Sequence, residues 1–109
     1  MIGKKKPEVS EGFQIFNSEA EGHSEAWSGM IAGLAKASAL DLKTQSLAYL
    51  AVLAALRIES GVAFHVKAAK KEGASREEVI SAVLAGLPAA GHVVTQVLPA
   101  AVDAYDEEG

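Results

Sequence analysis

Residues 41–57 read DLKTQSLAYLAVLAALR, and this stretch decides the fold class. Asp41 is a typical residue for the start of a helix, since its carboxylate can accept a hydrogen bond from a free backbone N–H of the first turn. The first turn is polar, and the rest of the stretch is apolar on nearly every side. A helix of this kind belongs at the centre of a helical bundle or across a subunit interface.

Further helices are predicted on the C-terminal side of this stretch. A helix over residues 62–72 ends at Gly73, which fits the left-handed position after a helix. Ser75 and Glu78 have the spacing of a capping box, which predicts that another helix starts there. A last helix is expected over residues 89–106, and Pro99 should kink or split it.

Two helices are predicted on the N-terminal side. Val9, Phe13 and Phe16 have helical spacing within residues 8–19, although Gly12 weakens the pattern. Ser24 is the expected N-cap of the second helix, because apolar residues follow it at helical spacing.

The composition agrees with an all-α fold. Alanine, the best helix former and a poor strand residue, is the commonest of the 109 residues, whereas proline occurs three times. No linker or internal repeat divides the chain. We therefore predict a flexible N-terminal tail over residues 1–7 and a single domain over residues 8–106, which is a bundle of about six helices.

Charge and hydropathy exclude several kinds of partner. The formal net charge is −4 at pH 7 and no basic face stands out, so no nucleic acid is expected to bind. The longest apolar run, residues 47–56, is shorter than the roughly 20 residues of a membrane span, so no membrane is expected either. The lysines at residues 4–6 precede no apolar core of a signal peptide, which favours a cytoplasmic protein.

The apolar content predicts self-association. Apolar residues make up 50% of the chain, and a domain this small buries only a modest fraction of its surface. Apolar faces that remain exposed on small helices usually contact another subunit. We therefore expect a homo-oligomer.

The chain contains no cysteine. This excludes disulfides, thiolate nucleophiles and cysteine-based zinc sites within the chain. The side chains that remain for proton transfer are three histidines, several carboxylates and two tyrosines.

His65 is the first candidate among them. Its helical neighbours three and four positions away are small or apolar: Gly61, Val62, Ala68 and Ala69. Two interpretations stay open, a buried histidine whose ring nitrogens are satisfied, or a general acid or base that faces a small cavity. Burial would lower the pKa of the ring and keep it neutral, which is the state that accepts a proton near pH 7.

The other two histidines are weaker candidates. His92, followed by Thr95 and Gln96, forms a polar stripe on an otherwise apolar predicted helix. This stripe could bind a carboxylate, or it could be a polar patch at a subunit interface. His23 lies in a polar stretch and is typical of a surface histidine.

No metal or other cofactor is expected. The sequence has neither two histidines four residues apart nor a His-Glu-x-x-His motif. Glu59 and His65 are six positions apart, so they would face different directions on one continuous helix.

The order of these motifs resembles a known superfamily. Asp41-Leu-Lys-Thr and a long apolar helix are followed by AFHVKAA at residues 63–69, EGASREEVI at residues 72–80 and a glycine-rich joint. This arrangement resembles the carboxymuconolactone decarboxylase/AhpD-like superfamily over roughly residues 24–106. The resemblance implies an AhpD-like helical bundle that assembles into a trimer or a hexamer.

The superfamily divides by chemistry. Its alkylhydroperoxidase-like branch carries Cys-x-x-Cys-x-x-x-His and a glutamate on the preceding helix. Here Ile58 and Gly61 stand at the cysteine positions and Ser46 at the glutamate position, so thiol peroxidase activity is not expected. The decarboxylase branch needs no cysteine, and the resemblance makes His65 its proton-transfer residue. Arg57 is the nearest candidate to bind a carboxylate, because residues 59–62 (ESGV) lack the arginine expected before the histidine.

Two functions are therefore considered. The first is a cofactor-free, carboxymuconolactone decarboxylase-like enzyme that decarboxylates or isomerises a small carboxylated substrate. In it, His65 is catalytic and the substrate is bound by Arg57, His92 and Gln96. The second is a non-catalytic binding or structural homo-oligomer that has kept the scaffold and lost the cysteines.

Overall fold

The computed structural model describes residues 10–107, and in this range the chain is helical without any strand. The all-α prediction is confirmed. The predicted flexible tail, residues 1–7, lies outside the described residues. The helices are α1 (Glu11–Glu19), α2 (Glu21–Ala37), α3 (Leu42–Ala55), α4 (Val62–Lys71), α5 (Arg76–Leu84), α6 (Leu87–Ala90) and α7 (Leu98–Asp106), with 3-10 segments at Glu59–Gly61 and Gly91–Val97.

The core is formed by α3, α4, α5 and α7 together with the second 3-10 segment. Its buried side chains are small, mostly valine and alanine, so the helix backbones can approach one another closely. The largest fully buried side chains are Leu50, Val62, Val66, Val79, Val83, Val94 and Val97. We call residues 42–106 the helical body.

Helix α3 is buried on one side only. Leu50, Leu53 and Ala54 face the core, whereas Val52 and Leu56 remain 52% and 64% exposed. The sequence allowed two positions for this helix, the centre of a bundle or a subunit interface. Within a single chain, only one side of α3 is covered.

Local hydrogen bonds start α3 and α5 where the sequence predicted. The Asp41 carboxylate accepts from the Thr44 N–H at 2.8 Å. The Ser75 hydroxyl accepts from the Glu78 N–H, and the Glu78 carboxylate accepts from the Ser75 N–H, which completes the capping box. Glu78 also pairs with Lys43 at 3.0 Å, so the same carboxylate joins the starts of both helices.

Helix α7 is attached to the body by polar contacts near its C-terminal end. Arg76 binds both carboxylate oxygens of Asp106, at 2.9 and 3.1 Å. The Tyr105 hydroxyl donates to the Ala74 carbonyl at 2.9 Å, and the Lys70 ammonium lies 4.6 Å from the centre of the Tyr105 ring. These contacts hold α7 against the turn between α4 and α5.

Two predicted boundaries are wrong. Helix α2 begins at Glu21, and Ser24 lies inside it, where its hydroxyl donates to the Asn17 side chain instead of capping the helix. The predicted helix over residues 89–106 is divided into α6, a 3-10 segment and α7. The predicted split at Pro99 is confirmed, since the 3-10 segment ends at Val97 and Pro99 lies in the first turn of α7, where a missing N–H costs no hydrogen bond.

The C-terminal half of the body is apolar enough to resemble a membrane span by length and composition. The stretch Arg76–Asp106 has a mean hydropathy of 1.4 over its most apolar window. It is divided into α5, α6, the 3-10 segment and α7, and these elements pack on α3 and α4. Its valines and alanines supply much of the core of the body.

Helices α1 and α2 form a hairpin, which we call the N-terminal arm (residues 11–37). None of its residues is buried. Phe13 packs edge-on against Trp27, with ring centres 5.2 Å apart, and Phe16 packs against the same indole at 6.4 Å. The described residues have a radius of gyration of 14.7 Å, above the roughly 13 Å of a compact domain of this length. The arm is thus held by its own aromatic contacts and adds little to the core.

Helices α3 and α4 end in the same way with different residues. After α4, the N–H groups of Gly73 and Ala74 donate to the carbonyls of Lys70 and Ala69, both at 3.0 Å. After α3, Arg57 and Ile58 make the equivalent bonds to the carbonyls of Ala54 and Leu53, at 3.1 and 2.9 Å. Both are Schellman motifs, which place one residue in the left-handed region.

The left-handed residue is Gly73 in one motif, with φ of 96°, and Arg57 in the other, with φ of 57°. Glycine adopts this conformation without a steric penalty, whereas a side chain costs about 1–2 kcal/mol. Gly73 confirms the predicted helix end. Arg57 occupies a position that favours glycine.

Replacing Gly73 with alanine should therefore lower the free energy of unfolding by about 1–2 kcal/mol, and Arg57→Gly should raise it by a similar amount or less. Urea denaturation measures both changes. Gly33→Ala is the matched control, because Gly33 lies in exposed α2 with nothing within 4 Å of an added Cβ. This control should stabilise the protein by about 0.5–1 kcal/mol. Equal effects at Gly73 and Gly33 would contradict the role given to the left-handed backbone.

Candidate active site

A cavity of about 450 Å³ lies between the N-terminal arm and the helical body. The arm contributes one wall through α1 and α2, and α3, α4 and the 3-10 segment between them contribute the other. The lining residues are Ser10, Phe13, Trp27, Ile31, Tyr49, Leu53, Ile58, Ser60, Gly61, Phe64 and His65.

Among the titratable side chains that line this cavity, His65 is the best suited to transfer a proton near pH 7. Its ring lies against Tyr49 with centres 4.5 Å apart, and Phe64 packs edge-on at 5.1 Å. Within residues 10–107, no group hydrogen-bonds to the ring, and no buried side-chain nitrogen or oxygen lacks a partner. The ring nitrogens therefore face accessible space and are free to meet a ligand.

Burial lowers the pKa of His65 below its ordinary value of 6.5. The apolar and aromatic surroundings disfavour the charged imidazolium, so the ring is neutral at pH 7. Neutral imidazole can accept a proton from a ligand, and the charged form can then return it.

Helix packing brings His65 and Tyr49 together. Leu50 in α3 and Val66 in α4 are fully buried in the core. Tyr49 and His65 each precede one of these buried residues, so both lie at the border of the same helix–helix contact. Gly61, one turn before His65, lies beside the ring, since a Cβ there would be 3.8 Å from it, an ordinary van der Waals contact.

The other predicted site residues do not line this cavity. Arg57 is exposed and directly precedes Ile58, which is a lining residue. His92 and Gln96 are exposed on the second 3-10 segment, and the Thr95 hydroxyl donates to the His92 carbonyl at 2.7 Å. The structure thus places Arg57 next to the cavity and leaves His92 and Gln96 outside its lining, so their substrate-binding roles stay predictions.

Sequence reasoning did not identify most of the aromatic lining. Phe13 and Trp27 have the spacing of an amphipathic core face, and their packing against each other is consistent with that pattern. Nothing in the local sequence indicates that this pair faces His65, which is 38 positions or more away. Tyr49 was part of an apolar run without a special role.

A second depression, of about 600 Å³, lies beside the start of α3 and is open to solvent. Of its charged lining groups, Asp41 caps α3 and Lys43 pairs with Glu78, and Glu72 is exposed to solvent. Among the described residues, no group of three or more His, Asp or Glu side chains could hold a metal ion. The cavity at His65 is therefore the candidate site.

A known protein family matches most of the chain. The family model of the carboxymuconolactone decarboxylase family matches residues 22–103, from the first turn of α2 to α7. The chain belongs to the carboxymuconolactone decarboxylase family. This confirms the resemblance seen in the sequence. No match is found among curated proteins or among solved structures.

Membership of the carboxymuconolactone decarboxylase family applies to the body and to α2, but the match does not include α1. Ser10 and Phe13 line the cavity from that unmatched part. One end of the site is therefore built by a segment outside the family match.

The lowered pKa of His65 predicts how stability depends on pH. The unfolded chain binds this proton more tightly than the folded protein, so stability falls as the pH decreases from about 6.5 toward the folded pKa. Urea unfolding at about pH 7.5 and about pH 5.5 should show a loss for the wild type that is smaller for His65→Gln.

The carboxylates affect stability in a different pH range. Backbone and side-chain hydrogen bonds lower the pKa values of Asp41 and Glu78 below 3.8 and 4.5, so their contribution is lost only at lower pH. An identical loss between the two pH values in the wild type and in His65→Gln would contradict the assignment to His65.

Proposed function

We propose that the chain is a cofactor-free enzyme that transfers a proton on a small carboxylated substrate, by decarboxylation or by isomerisation. The observation that carries the proposal is the His65 ring, which lines a cavity of about 450 Å³ and has no hydrogen-bond partner among the described residues. A structural core histidine would have satisfied ring nitrogens.

The two reactions use the ring differently. In an isomerisation, neutral His65 removes a proton from one carbon next to a carbonyl group and returns it to another. In a decarboxylation, the bond to the carboxylate carbon breaks and CO₂ leaves. The electron pair stays on the substrate as an enolate, and the new C–H bond forms with a proton that His65 takes up from solvent and delivers.

Arg57 is the proposed partner of the substrate carboxylate. It directly precedes Ile58 in the cavity lining and holds a left-handed backbone conformation that glycine would adopt more easily. A guanidinium kept at such a position is consistent with a role for its charge. His92 and Gln96 are exposed elsewhere on the body, and they would contact a substrate only if another subunit brought them to the cavity.

Self-association is the second part of the proposal, and it also supports the alternative of a non-catalytic oligomer. The N-terminal arm has no buried residue, and Met30 and Leu34 on α2 are 52% and 58% exposed. On the body, Val52 and Leu56 continue the exposed apolar surface. We propose that copies of the chain cover these faces in a trimer or a hexamer.

Replacing His65 with glutamine tests catalysis. Substrate candidates are small carboxylated carbonyl compounds that raise the melting temperature, and exchange of their C–H groups in D₂O is followed by NMR. His65→Gln should reduce the enzyme-catalysed exchange by about 100-fold or more, because general acid–base catalysis contributes at least that much. The melting temperature should stay nearly unchanged. His23→Gln, on an exposed residue outside the cavity, is the matched control.

If His65 is instead a structural residue, the glutamine variant should lose about 1–3 kcal/mol of stability through unsatisfied polar groups. A large fall in melting temperature with exchange intact would reject the catalytic role. Catalysed exchange that stays at the wild-type rate in a fully folded His65→Gln protein would reject it as well.

Light scattering at micromolar concentration tests assembly. The measured mass should be several times 11.3 kDa. Met30→Glu should shift the mass toward the monomer, because it places a charge on the exposed apolar face of α2. Ala32→Glu, on roughly the opposite side of the helix, is the matched control. A uniform species at the monomer mass in the wild type would contradict the oligomer.

A further inference from the structure

The cavity beside His65 has aromatic walls on both sides. Phe13 and Trp27 line it from the arm, and Tyr49 and Phe64 line it from the body together with the His65 ring. The rings come from four different helices and meet edge-on or tilted at 4.5 to 5.2 Å within each wall. Aromatic faces and edges arranged in this way favour another ring as their neighbour.

The polar groups of the lining are few and uncharged. The Ser10 hydroxyl already accepts one hydrogen bond, from the Phe13 N–H at 3.2 Å. The Ser60 and Tyr49 hydroxyls and the His65 ring remain as possible partners for a ligand. No lining residue among those described carries a charge at pH 7, so a carboxylate inside the cavity would lose its hydration without an ionic partner.

The cavity is also open along one border. Ile58 and Phe64 are 42% and 50% exposed although both line it. A volume of about 450 Å³ lies within the range of small-molecule sites and has room for one or two rings. A substituent on such a ring can reach water past this border.

We infer that the cavity binds an uncharged aromatic or unsaturated ring, and that any carboxylate of the ligand stays outside, on a flexible chain. The inference about ligand binding stands by itself. It rests on the proposed function only where it narrows the substrate class of the proposed reaction. It favours isomerisation over decarboxylation, because the carbon next to His65 then belongs to the ring and the carboxylate lies away from it.

Three probes with the same phenyl ring test whether the cavity accepts a charge on the ring, a charge on a chain, or no charge. Methyl benzoate is uncharged, benzoate carries its charge directly on the ring, and 4-phenylbutanoate carries it on a chain long enough to reach solvent. Trp27 is the single tryptophan of the chain and lines the cavity, so its fluorescence reports binding directly. The titrations are made on the full chain near pH 8, where His65 is neutral.

The dissociation constant of methyl benzoate should be at least about tenfold lower than that of benzoate, and 4-phenylbutanoate should resemble methyl benzoate. Benzoate that binds as tightly as methyl benzoate would overturn the inference. So would the absence of any fluorescence change with all three probes, which would mean that another segment or subunit fills the cavity.

Paired variants locate the binding. Leu53→Phe enlarges a lining residue and should weaken methyl benzoate binding at least about tenfold, whereas Val52→Phe enlarges its exposed neighbour outside the cavity and should not. If Leu53→Phe fails to fold, Ser60→Phe on the exposed 3-10 segment replaces it. Equal binding to the lining variant and to its control would overturn the inference.

The binding experiments can succeed or fail independently of the test of the proposed function. Binding of methyl benzoate to the wild-type protein involves no proton transfer, so it is measured independently of catalysed exchange. Probe binding as expected without catalysed proton exchange would leave the inference standing and reject the proposed function. Catalysed exchange together with tighter binding of benzoate than of methyl benzoate would support the proposed function and reject the inference.

Discussion

Close packing between α3 and α4 is the constraint on which the rest of the structure depends. The side chains at this contact are small or compact, with Leu50 and Ala54 of α3 against Val62 and Val66 of α4 in one buried cluster. Because close-packed interiors resist even small displacements, the two helices have little freedom to slide. Tyr49 and His65 lie at the edge of this contact, and the geometry of the candidate site follows from the core.

The parts of the fold that could be predicted from the sequence are those governed by local hydrogen bonds. Asp41, Ser75 with Glu78, and Gly73 each act within a few residues of themselves, and the structure shows the predicted role for each. The start of α2 was missed because no side-chain hydrogen bond caps it, so the chain offers no local signal at Ala20.

The candidate site could be predicted only in part. His65 was identified from its small and apolar neighbours and from a family resemblance, and it does line a cavity. The opposite wall, with Phe13 and Trp27, depends on how the arm lies against the body, which is a long-range contact without a local pattern. The two positions at which the thiol-redox branch carries cysteine, Ile58 and Gly61, both line the cavity as well. At the two positions where the resemblance to that branch would place thiols, the cavity therefore has the side chain of Ile58 and the backbone of Gly61.

The arm lines the cavity and the helical body contains the core, and this separation has a consequence for how the protein can evolve. Phe13, Trp27 and Ile31 shape the cavity, yet none of them belongs to the buried core. Because the arm packs outside this core, substitutions in it leave the packing of the helical body unchanged, whereas changes in a close-packed core are costly. The shape of the cavity can therefore change through substitutions in the arm while the helical body and His65 stay intact, so one helical scaffold can carry cavities of different shape.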